Sequence, residues 1–394
     1  MGENVLVVGT GQAGFQLAAS LRQKGFAGEI TLVGDECFPP YQRPPLSKAY
    51  LKEGREERLH LRNLSFYHEN RISLLRGRRV TALDRQAERI TLDDGRHLDW
   101  DRLVLATGTR IALPPIGGVN LPGVHALRSI DDARRLRGEM ATMQRAVVIG
   151  GGFIGLEFAA VAREAGIEVS IIESAGRLMA RAISPPMSTI VQAIHSEHGV
   201  SIFLNSFAAS VEAQADGRVC GVSLSDGRFL PADGVILATG VVPNTELAEA
   251  AGLRVHNGII TDRYLTTEDP KIHAVGDCAA FPDPFGLSLI RLESVQAAVD
   301  HGRCLAEVIM GRASPYAALP WFWSDQGRYK LQIAGLAAPD DAARLTQTEN
   351  GGQVVVRSRN GLVTAVETLN ASGVHMSARK LLADGPSRDI ALSV

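Results

Sequence analysis

Cysteine is scarce in this sequence, and its few cysteines are widely separated. The 394-residue chain contains four of them, Cys37, Cys220, Cys278 and Cys304. No two lie at the CxxC or CxxxxC spacing that dithiol redox centres and zinc sites use. The pattern therefore argues against both kinds of site, predicts no metal, and favours separate reduced thiols in a cytoplasmic protein.

A charge excess of one sign and long apolar runs are also missing. The formal net charge is −2, whereas a general nucleic-acid binder carries a strong basic excess. No apolar run approaches the roughly 18 residues that span a bilayer, and an expected first strand at Asn4–Val8 leaves no room for a secretory signal. We expect a chain of two or three domains that binds neither nucleic acid nor membrane.

Glycine is plentiful, and it marks a turn that binds dinucleotides in many proteins. The three glycines of a GxGxxG turn allow a tight bend, close approach of the backbone to a pyrophosphate, and close packing of helix on strand. The following helix offers free N–H groups to the phosphates, and an acid after the next strand accepts a hydrogen bond from a ribose hydroxyl. The first copy comprises the strand Asn4–Val8, the turn residues Gly9, Gly11, Ala13 and Gly14, the helix Phe15–Lys24, the strand Glu29–Val33 and the acids Asp35 and Glu36.

The same pattern returns 141 residues later. The second copy comprises the strand Ala146–Ile149, the turn residues Gly150, Gly152, Ile154 and Gly155, the helix Leu156–Ala165, the strand Glu168–Ile172 and the acid Glu173. One GxGxxG string is weak evidence, because glycine-rich turns are common. Two copies, each with its strand, helix and acid at the right distance, predict two dinucleotide sites.

A second element also repeats, as LVLATGT at 103–109 and VILATGV at 235–241. Each copy follows a hairpin-like segment with an Asp-Gly turn. We predict that Thr107–Gly108 and Thr239–Gly240 are chain crossovers beside bound dinucleotides, although a plain exit from a strand would leave the same pattern. The simplest pair of ligands for two such sites is a tightly held flavin and a diffusing nicotinamide. That pair predicts a protein that transfers electrons from one to the other.

The stretch Phe38–Lys48, FPPYQRPPLSK, shows almost no helix or strand signal. Its prolines make a stiff loop, because proline fixes φ and restricts the residue before it. The stiffness is explained if Lys48 must keep one position, although an exposed lysine is the commoner outcome. Elsewhere, His195 and His198 are expected on a helix surface.

Several unusual strings narrow the assignment: the loop just described, the segment ending in Val-Gly-Asp277, the segment RLESVQA at 291–297 and the segment PWFWSDQ at 320–326. Over roughly 5–335 they resemble the NADH-dependent ferredoxin reductases of the putidaredoxin reductase type. The resemblance implies an α/β fold with two Rossmann-like dinucleotide-binding domains, one inserted in the other, and a C-terminal α/β domain. The implied bounds are 1–111 and 243–318 for FAD, 112–242 for NAD, and 319–394 for the C-terminal domain.

The resemblance also implies roles for individual residues. It implies catalytic roles for Lys48, beside the flavin ring, and for Glu157, paired with it across the domain junction; simple stabilisation of a helix start by Glu157 is the alternative. Glu173 would favour NADH over NADPH, with Arg177 and Arg181 nearby. The implied FAD contacts are Gly9, Gly11, Ala13, Gly14, Asp35, Glu36, Arg43, Lys48, Val80, Thr107, Gly108, Arg128, Gly276, Asp277, Glu293, Ser294, Val295, Trp321 and Trp323. The implied NADH contacts are Gly150, Gly152, Ile154, Gly155, Glu173, Thr239 and Gly240.

The expected reaction carries electrons from NADH through FAD to a separate [2Fe–2S] ferredoxin that supplies an oxygenase. The carrier is expected to be separate because the chain has no four-cysteine cluster motif of its own. A monomer or a homodimer is expected. The alternatives are a flavin disulfide reductase or NADH oxidase that uses Cys37 alone, and a non-enzymatic flavoprotein that binds NADH.

Overall fold

The computed structural model describes residues 3–286, 288–312 and 314–388. Within these residues the chain divides into two compact units. Among the described residues, the first unit joins those up to Gln42, those of Glu57–Arg110 and those of 242–320, and the second joins Arg43–Glu56, Ile111–Val241 and those from Trp321 onward. Each unit is therefore discontinuous in sequence, because the chain leaves each of them and returns.

The described residues form the following elements. The strands are β1 (Asn4–Val8), β2 (Glu29–Gly34), β3 (Ile72–Arg76), β4 (Val80–Asp84), β5 (Arg89–Leu92), β6 (His97–Asp99), β7 (Arg102–Leu105), β8 (Thr109–Ile111), β9 (Val124–Ala126), β10 (Arg145–Ile149), β11 (Glu168–Ile172), β12 (Val200–Phe203), β13 (Ala208–Ala213), β14 (Val219–Leu224), β15 (Phe229–Pro231), β16 (Gly234–Leu237), β17 (Val241–Pro243), β18 (Ile259–Ile260), β19 (Ile272–Ala274), β20 (Ala279–Pro282), β21 (Leu289–Ile290), β22 (Trp321–Gln326), β23 (Tyr329–Gly335), β24 (Ala342–Gln347), β25 (Gln353–Arg359) and β26 (Leu362–Leu369). The α-helices are α1 (Gln12–Gln23), α2 (Ala49–Glu53), α3 (Leu64–Glu69), α4 (Ile130–Met140), α5 (Phe153–Glu164), α6 (Pro185–Glu197), α7 (Glu246–Ala250), α8 (Val295–Ile309) and α9 (Ser372–Leu381). Short 3-10 helices cover Pro44–Ser47, Glu56–Arg58 and Gly276–Cys278.

The first unit is built on a parallel sheet in the order β19-β7-β1-β2-β3. Strand β1, which leads into the first glycine turn, lies between β2 and β7. An antiparallel sheet, β4-β5-β6, contributes Ile90 and Leu92 to the same core as Leu6 and Leu103. Each such fully buried aliphatic side chain contributes about 1.5–3 kcal/mol to folding, so the core fixes how β1 and β7 lie.

The second unit repeats this plan. Its parallel sheet has the order β12-β11-β10-β16-β9, with β10 leading into the second glycine turn and β16 at its side. The antiparallel sheet β13-β14-β15 contributes Val222 and Leu224 to a core shared with Val147 and Val235. The repeat seen in the sequence is therefore a repeat of architecture, and both Rossmann-like folds are confirmed.

The same unit contains an antiparallel sheet from the C-terminal part of the chain, in the order β22-β23-β26-β25-β24. Helix α9 packs on β23 and β26. This completes the predicted fold class, two Rossmann-like folds with a further C-terminal α/β element. Within the described residues, none of the helices is both long and apolar enough to cross a membrane.

The helices after the glycine turns begin earlier than the sequence predicted. Helix α1 begins at Gln12 and α5 at Phe153, whereas apolar periodicity placed their starts at Phe15 and Leu156. The reason is that Gly11 and Gly152 each act as the residue before the first helical position. The helix therefore starts inside the turn, where its N–H groups are close to the glycines.

Candidate functional site

The three glycines of the first turn have different steric surroundings. Gly9 has φ +127°, and a Cβ there would lie 2.1 Å from the Ala106 carbonyl oxygen. A Cβ on Gly14 would lie 2.3 Å from the Gly9 carbonyl oxygen. A Cβ on Gly11, in contrast, meets no atom of the described residues within 4 Å. Two glycines thus permit packing inside the protein, and the third leaves open space above the turn.

The second turn reproduces this division. Gly150 has φ +111°, and a Cβ there would lie 2.3 Å from the Ala238 carbonyl oxygen. A Cβ on Gly155 would lie 2.3 Å from the Gly150 carbonyl oxygen, while one on Gly152 has open space in the part of the chain described. Neither Gly11 nor Gly152 supplies a side-chain cap to its helix. Both turns therefore fit a dinucleotide, because phosphate oxygens can approach bare backbone at a helix start.

The remaining residues of the two turns lie at the helix starts. Ala13 is buried in the first turn of α1. Ile154 is 39% exposed, in the first turn of α5. Its apolar side chain is therefore available to a ligand at that helix start.

Of the three predicted acids, Glu173 has its carboxylate held by backbone N–H groups beside a glycine turn. One carboxylate oxygen accepts a hydrogen bond from the Gly151 N–H at 2.8 Å, and the other accepts one from the Ala175 N–H at 2.8 Å. The negative charge is thus fixed beside the second glycine turn with lone pairs to spare. The guanidinium of the nearby Arg177 donates to the backbone carbonyls of Ile183 and Ala180.

The acids of the first copy are held differently. Asp35 lies 3.5 Å from the Arg79 guanidinium with both side chains well exposed. Glu36 accepts a hydrogen bond from the Tyr41 hydroxyl at 2.5 Å. Val80, the predicted backbone contact, is half-buried at the start of β4.

Thr107–Gly108 and Thr239–Gly240 lie just after the carboxyl ends of β7 and β16. The Thr107 hydroxyl donates to the Asn244 carbonyl at 2.7 Å, and the Asn244 side chain donates back to the Thr107 carbonyl. In the second copy, the Thr239 hydroxyl donates to the Ala112 carbonyl, and the Ala112 N–H donates to the Gly240 carbonyl. Each threonine therefore ties the outgoing chain to the returning one. Ligands of open α/β sheets bind at this end of the strands.

Gly276 and Asp277 occupy a 3-10 turn after β19, and the turn depends on a residue that the sequence did not reveal. Gly276 has φ +76°, and its N–H donates to Nδ1 of His301 at 3.1 Å. Burial lowers the pKa of His301 to about 3, so the ring stays neutral and keeps Nδ1 as an acceptor. Thr109 lies 3.5 Å from the Asp277 carboxylate.

Helix α8, which carries His301, begins beside the other predicted contacts. The Ser294 hydroxyl accepts from the Ala297 N–H at 3.0 Å and caps the helix, with Val295 as its first residue. Glu293, just before, pairs with Arg291 at 2.8 Å.

The proline loop contains more helix than the sequence indicated. Pro44–Ser47 forms a 3-10 helix and is followed by α2, with Lys48 between them at φ −130° and ψ −105°. Proline suits a helix start, because its fixed φ is helical and its missing N–H costs nothing there. Within this loop Arg43 donates to the Arg128 carbonyl at 2.5 Å, which joins two predicted cofactor contacts.

The predicted ion pair between Lys48 and Glu157 is present, with Nζ 3.1 Å from Oε1. The Lys48 side chain is 17% exposed and that of Glu157 is 4% exposed. Two serine hydroxyls also donate to this carboxylate, Ser47 to Oε2 at 2.5 Å and Ser324 to Oε1 at 2.6 Å. A buried carboxylate is costly unless it is paired and hydrogen-bonded, and here both conditions are met.

Trp321 and Trp323 lie on the same face of β22, as their spacing predicted. Their ring centroids are 5.4 Å apart, and the Arg379 guanidinium lies 4.2 Å from the centroid of the Trp321 ring. The two rings are therefore in contact at a tilt of 35°, with a cation over one of them.

His195 is not on a helix surface, contrary to expectation, whereas His198 is exposed. His195 is buried, and its Nε2 lies 3.0 Å from Oε1 of Gln326 on β22. Burial lowers the pKa of His195. The Gln326 amide nitrogen also donates to the Met179 sulfur at 3.6 Å, and the Met179 N–H donates to the Gly151 carbonyl. Strand β22 is thus linked to the second glycine turn.

Comparison with known protein families gives the identity of the chain. Residues 3–302 match the family model described as pyridine nucleotide-disulphide oxidoreductase, and residues 321–392 match the one described as reductase C-terminal. The chain belongs to the pyridine nucleotide-disulphide oxidoreductase family. This membership agrees with the duplicated glycine turns.

Individual members of the family are similar over nearly the whole chain. Rhodocoxin reductase of Rhodococcus erythropolis is 47% identical, covering 96% of this chain and 89% of the relative. The ferredoxin–NAD(+) reductase component of the p-cumate 2,3-dioxygenase system of Pseudomonas putida is 40% identical, covering 94% and 89%. The solved covalent complex of putidaredoxin reductase with putidaredoxin is 39% identical, with a TM-score of 0.94 and coverage of 97% and 93%. The chain is a flavoprotein oxidoreductase of the ferredoxin reductase type that uses FAD and NAD(H).

Proposed function

We propose that the protein takes electrons from NADH, passes them through FAD and delivers them to a small [2Fe–2S] ferredoxin that supplies an oxygenase. The observation that carries the proposal is the duplicated glycine turn, in which Gly11 and Gly152 leave matching open space for two dinucleotides. Among the similar proteins, one was solved in a covalent complex with putidaredoxin and another belongs to a dioxygenase system. These names support a protein electron acceptor for this chain.

The proposed roles follow the two copies of the turn. When bound, FAD accepts a hydride equivalent from NADH and releases electrons one at a time. The backbone around Gly9–Gly14 holds the FAD pyrophosphate, and the backbone around Gly150–Gly155 holds that of NADH. We assign 1–111 and 243–318 to the FAD domain, 112–242 to the NAD domain and 319–394 to the C-terminal domain. The other predicted FAD and NADH contacts keep their assigned roles in this proposal.

Lys48 is assigned to the flavin ring and Glu157 to Lys48. The ammonium group of Lys48 favours negative charge on the ring, since opposite charges attract strongly where water is partly excluded. Glu157 holds that ammonium in one place through the 3.1 Å ion pair. The two residues thus act together, with Glu157 holding the lysine that would act on the flavin.

The electron acceptor is assigned to a separate protein. The four cysteines of the chain lie far apart in sequence, and an iron–sulfur cluster needs cysteine ligands at close spacing. The adjacent rings of Trp321 and Trp323 are a candidate route for electrons to leave. A cytoplasmic location and a monomeric or homodimeric state stay predictions.

The test is direct reduction of a [2Fe–2S] ferredoxin by the purified FAD-loaded protein with NADH. We expect the flavin absorbance to bleach and the ferredoxin to become reduced, at rates that fall as salt rises if charge guides docking. The variant Cys37→Ser is expected to behave like the wild type. Loss of activity in that variant favours the single-cysteine alternative, and a flavin that NADH leaves oxidised favours the non-enzymatic one.

Coenzyme choice supplies a second prediction, with Glu173 as the determinant. The wild type should show a higher kcat/KM for NADH than for NADPH, because the fixed carboxylate repels a 2′-phosphate. Glu173→Gln should narrow the ratio of the two kcat/KM values about tenfold, the effect of ~1.4 kcal/mol of repulsion between neighbouring charges. Steady-state kinetics with both coenzymes measures this ratio.

The matched control for this prediction is Glu168→Gln. Glu168 is exposed at the opposite end of β11, so its replacement removes the same charge from the same strand. Its kcat/KM ratio should equal that of the wild type. Equal kcat/KM values for NADH and NADPH in the wild type would contradict the role of Glu173.

A further inference from the structure

Two buried polar side chains of strand β22 make hydrogen bonds to residues outside the C-terminal sheet. It lies at the edge of the C-terminal sheet and packs against α5. Ser324 and Gln326, two residues apart, point to the same side and are 0% and 4% exposed. Both make hydrogen bonds to residues outside the C-terminal sheet, Ser324 to Glu157 and Gln326 to His195. Besides carrying Trp321 and Trp323, the strand therefore connects the C-terminal sheet to α5 and α6.

Ser324 and Lys48 both contact the same carboxylate oxygen of Glu157. The Ser324 hydroxyl donates to Oε1 of Glu157 at 2.6 Å, and the Lys48 ammonium lies 3.1 Å from the same Oε1. Ser47 donates to Oε2. With one hydroxyl on each oxygen, rotation of the carboxylate plane is restricted, and so is the direction in which Oε1 meets Lys48. Removing Ser324 takes away the hydroxyl on Oε1 and leaves the carboxylate held by Ser47 and Lys48, with more freedom to rotate.

A second negative charge near Lys48 comes from the same strand as Ser324. Asp325 lies 3.8 Å from the Lys48 ammonium, but its side chain is 40% exposed. Water screens such an exposed charge, so its hold on Lys48 is weak. The buried Glu157, and therefore the hydroxyl that orients it, has the larger influence on where Lys48 stays.

We propose that Ser324 is a positioning residue for Lys48. Its hydroxyl fixes the Glu157 carboxylate, and the carboxylate fixes the ammonium, so a strand of the C-terminal sheet sets the electrostatics that Lys48 imposes on FAD. The inference rests on the role of Lys48 in the proposed function. It assigns to the C-terminal sheet a part in accepting electrons from NADH as well as in passing them on.

The experiment compares Ser324→Ala with the wild type in two readouts. We expect a more negative midpoint potential of bound FAD in equilibrium titration, and about tenfold slower flavin reduction by NADH in stopped flow, within the range found for coupled neighbouring side chains. Ser324→Thr, which keeps a hydroxyl, should have a midpoint potential and a reduction rate close to those of the wild type. The matched control is Thr368→Val, which removes another fully buried hydroxyl from the same sheet, one that donates to the Gln332 carbonyl. This control should change neither readout.

A double-mutant cycle separates positioning from a merely structural effect. If Ser324 acts through Lys48, adding Ser324→Ala to Lys48→Ala changes neither the potential nor the rate further. An equal effect of Ser324→Ala in both backgrounds, or an effect no larger than that of Thr368→Val, overturns this inference alone. Wild-type behaviour of Lys48→Ala itself overturns the role of Lys48 and this inference with it.

Discussion

Replacing Lys48 by alanine should slow the reduction of bound FAD by NADH about 100- to 1,000-fold, the cost found for losing one preorganised hydrogen-bond donor at a reacting centre. The reason lies in the environment of the lysine. Its ammonium is mostly buried and is held by Glu157, whose carboxylate has two hydroxyl donors of its own. A charge held in a place from which water is largely excluded acts on a neighbouring group more strongly than an exposed charge does. Stopped-flow absorbance of the flavin measures the rate.

The chain offers a close control for this lysine. Lys52 lies four residues later on α2 and pairs with Glu164, with both side chains nearly half exposed. An exposed ion pair of this kind contributes about 0–1 kcal/mol, so Lys52→Ala should leave the reduction rate and the folding temperature nearly unchanged. A Lys48→Ala protein that retains FAD and is reduced at the wild-type rate would refute the assignment of Lys48.

The variant Gly152→Ala should lower kcat/KM for NADH about 100-fold while leaving the fold and the bound FAD intact. Gly152 has an extended backbone conformation, and the described residues leave its added Cβ free of contacts within 4 Å. Among the described residues nothing stops the methyl group, which would therefore lie in the space proposed for the NADH pyrophosphate. A displacement of about 1 Å in a bound reactant is enough for a loss of this size. The measurements are steady-state kinetics with NADH and the flavin content of the purified variant.

Two other glycines provide control variants for Gly152→Ala. Gly138 in α4 also has open space around its Cβ, as far as the described residues extend, so Gly138→Ala should have wild-type kinetics. Gly150→Ala is expected to destabilise the protein, because its Cβ would lie 2.3 Å from the Ala238 carbonyl oxygen. An unchanged KM for NADH in a folded Gly152→Ala protein would exclude the second glycine turn as the NADH site.

The parts of the site that the sequence predicted are mostly local. A glycine turn is recognisable because three glycines within six positions meet three separate steric demands, two from packing inside the protein and one from the approach of a pyrophosphate. The repeat of the turn, with its acid and its second strand, indicated two Rossmann-like folds for the same reason. The helix starts were placed three residues late, since apolar periodicity reports burial and does not report where a glycine begins the helix.

The ion pair between Lys48 and Glu157 has a different origin. The two residues are 109 positions apart, and no spacing rule joins them. It was predicted from the order of unusual strings that this chain shares with a known family. His301, which supports the Gly276 turn, and Gln326, which contacts His195, carried no such signal. Their types are common on protein surfaces, and only burial next to a particular partner distinguishes them.

The amino-acid sequence by itself determined two nucleotide-binding turns, the parallel sheets around them and the kind of ligand they accept, because short-range backbone sterics and strand periodicity specify these features. Only the tertiary structure decided which hydroxyls surround Glu157 and which histidine accepts from Gly276. Those contacts join segments far apart in the chain, and a side chain's hydrogen-bond partner depends on how whole elements pack, which no local pattern encodes.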